Sequence, residues 1–239
     1  MDPIDLLRGA MLQISESDLV RKAVVTAPVS RAVVARYVAG ESVPDAVTVA
    51  GELRTTNRLA TIDYLGEDTT DAVQAATTRD TYVHLLDLLA EADLTAYGAA
   101  EVSVKLSAIG QALPADGDAI ALENARAICE AAQAAGTTVT LDMEDHTTTD
   151  RTLATLHALR EDFPWVGAVL QSYLHRTEAD CRDLATAGSR VRLCKGAYKE
   201  PASVAYQDGD DVDLSYVRCL HVPMAGGGPI SGPGGGPIM

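Results

Sequence analysis

The sequence predicts an α/β protein built on a parallel sheet. Three observations carry that prediction. Short apolar runs alternate with longer amphipathic ones from residue 59 onward. Glycines stand where several of the amphipathic runs should stop. The apolar share, 47% against 22% charged residues, is that of a globular chain. At 239 residues the length suits one large domain or two small ones.

The first fifty-odd residues read as helices. Asp2-Pro3 offers a capping side chain followed by Pro at the first helical position. Leu6, Leu7, Ala10, Met11 and Ile14 follow at helical spacing. Further helices are expected over 17–27, 30–39 and 44–57, punctuated by Gly40 and Pro44. Strands are expected near 59–65, 101–107, 137–143, 167–173 and 190–196, with helices over 70–93, 118–135, 148–162 and 176–187. Gly136 and Gly188 suit left-handed C-terminal caps, and 147–150 (TTTD) offers several N-caps. The order βαβαβαβαβ implies parallel strands joined by right-handed crossovers. A doubly wound sheet and a (β/α)8 barrel both satisfy it.

The chain closes differently. Of the fifteen residues from Ala225, seven are Gly and three are Pro, which disfavours a regular helix or a central strand. The expected division is a helical segment over 1–58, a partial barrel over 59–220 with about five of eight strands, and a disordered Gly/Pro tail over 221–239.

Composition excludes several functions. The formal charge of −15 argues against a nucleic-acid partner, which needs clustered Lys and Arg. Ten aromatics are too few for a base-stacking surface. The first residues carry no basic and apolar signal pattern, and no apolar run reaches the ~18 residues of a membrane span. Cys129, Cys181, Cys194 and Cys219 form no C-x-x-C pair, so reduced cysteines in a cytoplasmic protein are expected, with no zinc site.

Strand alternation then singles out a site. Val102, Val104 and Leu106 share one face, leaving Ser103, Lys105 and Ser107 on the other. Val139, Leu141 and Met143 leave Thr138, Thr140, Asp142 and Glu144 opposite. Val191 and Leu193 leave Arg190, Arg192 and Cys194 opposite, and the fourth strand sets Val169, Gln171 and Tyr173 on its second face. Lys105, Asp142, Gln171 and Arg192 all fall toward the C-terminal ends of their strands, where such folds build active sites. Buried cations need partners, so their convergence points to a site for a charged or polar ligand. The cluster Asp142, Glu144, Asp145 and His146 offers a second reading, a metal-dependent lyase or hydrolase, although Asp145 has the wrong parity.

Four segments carry a resemblance: EVSVKLSAIG (101–110), VTLDMED (139–145), VLQSYLHRT (169–177) and RVRLCKGAYKEP (190–201). Together they resemble proline dehydrogenase, in order from about residue 59 to 220. The resemblance implies a distorted (β/α)8 barrel holding FAD without a covalent bond. It implies oxidation of L-proline to Δ1-pyrroline-5-carboxylate, with electrons passed to a quinone, in a cytoplasmic protein that makes peripheral contact with the inner membrane. Carried over by position, Lys105 resembles the cation that meets the proline carboxylate, and Tyr198 a wall of that pocket. Asp142 and Arg192 resemble the catalytic pair, Arg192 also contacting the flavin. Met143, Gln171, Lys195, Gly196 and Ala197 resemble flavin-binding positions. No metal is implied. The family continues beyond the equivalent of residue 220 with further strands and an Arg-Arg pair. The Gly/Pro tail stands in their place, so the expectation is a truncation or frameshift near 221–229, yielding a destabilised, aggregation-prone and catalytically poor chain, or a barrel fragment without activity.

Overall fold

A computed structural model describes residues 38–186, 188–226 and 230–231. The helices expected over 2–37 lie outside the described residues. The chain divides into two units, 1–46 and 47–239. In the first unit, Asp45 accepts hydrogen bonds from the backbone N–H (3.0 Å) and hydroxyl (2.7 Å) of Ser42, which opens helix α1, Val43–Thr55.

The second unit alternates strand and helix. Its elements are β1 Ala60–Asp63, α2 Ala72–Glu91, β2 Ala100–Val104, α3 Gly117–Ala135, β3 Val139–Leu141, α4 Thr149–Arg160, β4 Gly167–Gln171, α5 Thr177–Leu184, β5 Val191–Cys194, α6 Gly209–Gly226 and β6 Ile230–Ser231. Asp71 caps α2, accepting from the N–H groups of Val73 (2.7 Å) and Gln74 (3.1 Å). Gly136 ends α3 at φ +72°, the left-handed cap expected of it. Gly188 is also left-handed, at φ +80°, but α5 has already ended at Leu184. Thr148 stands at the N-cap of α4 without a side-chain cap bond, because its hydroxyl donates back to the Asp145 carbonyl at 2.9 Å.

All strand pairs are parallel, and the order across the sheet is β1-β2-β3-β4-β5-β6. Right-handed crossovers between strands in chain order place every crossover helix on the same face. That is a barrel wall, not a doubly wound sheet, in which the order reverses partway and helices cover both faces. Ala75, Thr78, Tyr82, Leu85, Leu86 and Leu89 form the buried stripe of α2 at helical spacing. The outer strand face, Val102, Val104, Val139, Leu141, Ala168, Leu170, Val191 and Leu193, is buried throughout, with α2 packed on β2, α3 on β3, α4 and α5 on β4 and α6 on β5. Each large apolar side chain so buried contributes about 1.5–3 kcal/mol.

The other face is concave and polar. Ser103 of β2 and Arg192 of β5 meet in a 2.7 Å hydrogen bond, although they stand three strands apart. A flat sheet would separate such strands by about 14 Å, so the contact measures the curvature. At the N-terminal end of this face, Glu101 pairs with Arg190 and accepts from the hydroxyls of Thr61 (3.1 Å) and Thr138 (2.7 Å).

Two elements differ from expectation. Helix α6 was not predicted, although Asp208 caps Asp210 N at 2.9 Å and acidic residues fill its first turn. It continues to Gly226, past the expected start of a disordered tail. Within that tail, Ile230 pairs with Val191 and Ser231 with Arg192 as a sixth strand. Its position explains the exception. An edge strand bonds on one side only, and there a neighbouring Pro is tolerated.

Candidate active site

Four segments place their chemistry at the C-terminal end of the concave face. Parallel register sets Asp63 beside Ser103 and Ser103 beside Thr140, so side chains of one parity line one layer. Lys105, one residue beyond β2, donates to Asp63 at the end of β1. Asp142, one residue beyond β3, accepts from Arg192 of β5, whose same Nη2 also donates to Ser103 Oγ. The result is an alternating series of carboxylate and cation, Asp63, Lys105, Asp142, Arg192. The Arg192 and Asp142 side chains are 22% and 19% exposed, so the pair is sheltered but reachable.

The electrostatics follow from this alternation. Burial pushes the Asp63 carboxyl up, against the opposing pull of Lys105. Burial pulls the Lys105 ammonium down, but its bond to Asp63 and the charges of Asp63, Asp142 and Glu67 hold it above the usual lysine range. Burial raises the Tyr198 hydroxyl, and the charges of Glu67, Glu144, Asp142 and Asp145 raise it further. Tyr198 therefore stands half-buried among the carboxylates of the mouth.

Glu144 is only 5% exposed and is claimed by Ser107, whose N–H (3.1 Å) and hydroxyl both donate to it. Ser107 in turn accepts from Asp68 N at 3.0 Å and, through its carbonyl, from Thr69 N at 3.2 Å. Glu144 thus secures the segment after β1. Burial pushes its carboxyl above the ordinary 4.5, the bonds from Ser107 pulling the other way. A carboxyl raised on folding holds its proton more tightly in the native state. Its contribution to stability is present at low pH and is lost as pH rises through the folded value. Glu144→Gln is therefore expected to flatten the fall in melting temperature as pH rises above the ordinary glutamate value of 4.5. Thermal unfolding of both proteins across that range checks it, and parallel curves would refute it.

The sequence-predicted residues fare differently. Lys105, Asp142 and Arg192 come together as described. Gln171 is buried, and its Nε2 donates to the carbonyls of Glu144 (2.7 Å) and Met143 (3.3 Å), so it braces the Asp142–Glu144 backbone. Lys195 pairs with Asp213 of α6 at the surface, and Ala197 is exposed beside it. Gly196 is required by its neighbour: at φ +118°, a Cβ there would lie 2.3 Å from the Tyr173 ring. The metal grouping does not form. Asp142 is held by Arg192, Glu144 by Ser107, and His146 by Glu200. No group of three metal-ligating side chains occurs among the described residues. Asp145 accepts from Thr147 N at 2.7 Å, a local turn. Asp63, Ser107 and Tyr82 were missed as site residues. Alternation applied to 59–65 puts Thr61 and Asp63 opposite Ile62 and would have found the first.

Comparison with known proteins bears on the same segments. Residues 46–223 match the family model for proline dehydrogenase. The chain is 37% identical over 194 residues to proline dehydrogenase of Deinococcus radiodurans, covering 80% of this chain and 61% of that protein. It is 33% identical over 192 residues to proline dehydrogenase 1 of Bacillus subtilis strain 168, with the same two coverages, 80% and 61%. The chain thus spans about three-fifths of the length of the curated relatives it matches. Among solved structures, proline utilization A (PutA) from Bdellovibrio bacteriovorus inactivated by N-propargylglycine superposes with a TM-score of 0.74 at 23% identity, over 85% of this chain and 25% of that one. A mutant PutA from Bradyrhizobium japonicum gives 0.66 at 20% identity, over 81% and 23%. These two likenesses speak to the fold, that of a barrel wall.

Proposed function

The chain belongs to the proline dehydrogenase family, and from that premise we propose that its concave face binds L-proline and FAD for oxidation of proline to Δ1-pyrroline-5-carboxylate, the first step of proline catabolism. The observation that carries this reading is the alternation of Asp63, Lys105, Asp142 and Arg192 at the strand ends. Proline is a small zwitterion. A mouth of alternating charges offers a cation to its carboxylate and a carboxylate to its ammonium.

Lys105 takes the substrate carboxylate in this reading. An ammonium has three donors, so its bond to Asp63 leaves two for the ligand. Asp142 lies beside Lys105 and receives the substrate nitrogen. Tyr198 closes one side and excludes water. The donor set also fits a flavin. Arg192 spends Nη2 on Asp142 and Ser103, while its Nε and Nη1 make no hydrogen bond among the described residues. Those groups suit the electron-rich edge of a flavin ring, with Met143, Gln171 and the 195–197 segment forming the surrounding wall. A bound flavin supplies the two-electron acceptor, and a positive Arg beside it favours its reduced form. The protein's part is to hold proline in a fixed orientation, which lowers the entropic cost of the reaction. A quinone is the proposed final acceptor. Among the described residues no helix is long and apolar enough to cross a membrane.

The test is the visible spectrum of the full chain supplied with FAD, before and after L-proline is added without oxygen. A protein-bound flavin band that bleaches on addition is the expected result. A bound flavin that L-proline leaves oxidised, or no bound flavin at all, would overturn the reading.

A further inference from the structure

We propose that Asp63 is a positioning residue for Lys105: from the end of β1 it holds the ammonium charged and aimed along the concave face, ready for a substrate carboxylate. The inference deepens the proline-binding reading above and rests on it.

Asp63 is itself held at both carboxylate oxygens. One carboxylate oxygen, Oδ2, takes the Lys105 ammonium. The other, Oδ1, lies 3.2 Å from the Tyr82 hydroxyl, whose single proton is shared between it and the nearer Ser103 carbonyl at 2.8 Å. Tyr82 cannot swing away. It is 1% exposed within the stripe of α2, and its oxygen accepts from Tyr64 N at 3.0 Å. Asp63 is therefore fixed at one oxygen by a buried hydroxyl and presents the other. A surface ion pair between two free side chains has no such anchor and holds no direction.

Lys105 needs this partner. Its side chain is 15% exposed, and a sheltered ammonium without an opposing charge tends to lose its proton. The charged groups facing it come from several elements. Asp63 comes from β1, Glu67 from the segment after it, and Asp142 from beyond β3. Asp142 is already engaged by Arg192 of β5, and Tyr82 of α2 reaches Lys105 only through Asp63. Of the carboxylates, Asp63 alone bonds the ammonium directly. Removing its charge weakens the opposition to burial, so Lys105 deprotonates at a lower pH. A neutral amine is a poor partner for a carboxylate.

The experiment compares the full chain, supplied with FAD, with its Asp63→Asn and Asp63→Glu variants. Two quantities are followed against pH: L-proline binding by calorimetry, and the rate at which acetic anhydride modifies Lys105, read by mass spectrometry. In Asp63→Asn, the Lys105 labelling curve should move to lower pH, and proline binding should weaken about tenfold as the ammonium loses its orientation, the scale of one hydrogen bond to a charged group. The alkaline limit of binding should move the same way. Asp63→Glu, which restores the charge, should recover most of both. Tyr82→Phe, which changes no charge, guards against misfolding as the explanation and should shift both curves in the same direction by less. Unchanged labelling and binding in Asp63→Asn would overturn the proposal. If labelling shifts while the parent chain binds no proline, the proline reading fails and the Asp63–Lys105 coupling survives it as structure alone.

Discussion

Gly196→Ala is expected to destabilise the protein by about 2–5 kcal/mol, the sum of steric overpacking and left-handed backbone strain. Two independent obstacles meet at this residue. Its φ of +118° is one that side-chain-bearing residues rarely adopt, and its new Cβ would stand 2.3 Å from two carbons of the Tyr173 ring. The ring has little room to retreat. Tyr173 donates its N–H to the Lys195 carbonyl at 2.9 Å, and its own carbonyl accepts from Tyr206 N at 2.8 Å. Denaturant unfolding measures the effect. Gly136→Ala is the control: its φ of +72° is also left-handed, but nothing lies within 4 Å of the added carbon. Its expected cost is the backbone term alone, about 1–2 kcal/mol. Equal costs at the two positions would mean that the Tyr173 contact is not what Gly196 serves.

Arg192→Met is expected to lower stability by about 2 kcal/mol, less than the ~3–5 kcal/mol of breaking a fully buried pair, because both partners keep some access to water. The loss comes from Asp142, left without its counter-charge, and from Ser103 Oγ, left without its donor. Adding Asp142→Leu should restore most of the stability, since the uncompensated carboxylate is then gone. Activity should behave otherwise. Proline-dependent flavin reduction is expected to fall by about 10²–10³ in the single variant, as when a preorganised electrostatic group is removed, and not to recover in the double, which also lacks the Asp142 carboxylate. Melting curves and anaerobic reduction rates on the four proteins of the cycle separate the two roles. Recovery of rate together with stability would reduce Arg192 to a structural residue.

Much of this was legible because strand alternation is a strong constraint. Val102, Val104, Val139, Leu141, Val191 and Leu193 must share the helix-packed face, which leaves Lys105, Asp142 and Arg192 no place but the other. What alternation could not supply was pairing across the curve. That Arg192 reaches Ser103 and Asp142, or that Glu101 meets Arg190, depends on curvature that one strand's sequence does not encode. Gln171 shows the same limit. Its parity placed it correctly, but its partners are backbone carbonyls with no signature in the sequence. The metal grouping failed for a related reason. Asp142, Glu144 and His146 are close in sequence, yet each is claimed by a different distant partner. Strand β6 was missed because a Gly/Pro-rich composition outweighed a single edge pairing, whereas helix α6 lies almost wholly before that stretch and its acidic cap was a signal left unread.

The sheet order β1 through β6 repeats the order of the chain. Each strand thus has as its neighbour the one synthesised just before it. Among the described strands none waits for a partner made much later, so long loop closures are avoided between them. Such a wall can be laid down course by course as the polypeptide leaves the ribosome, with each new βα unit docking on a finished edge. The ion pair of Asp63 with Lys105 needs only the first two strands. That of Asp142 with Arg192 must wait for the fifth, so the two halves of the mouth are completed at different moments of synthesis.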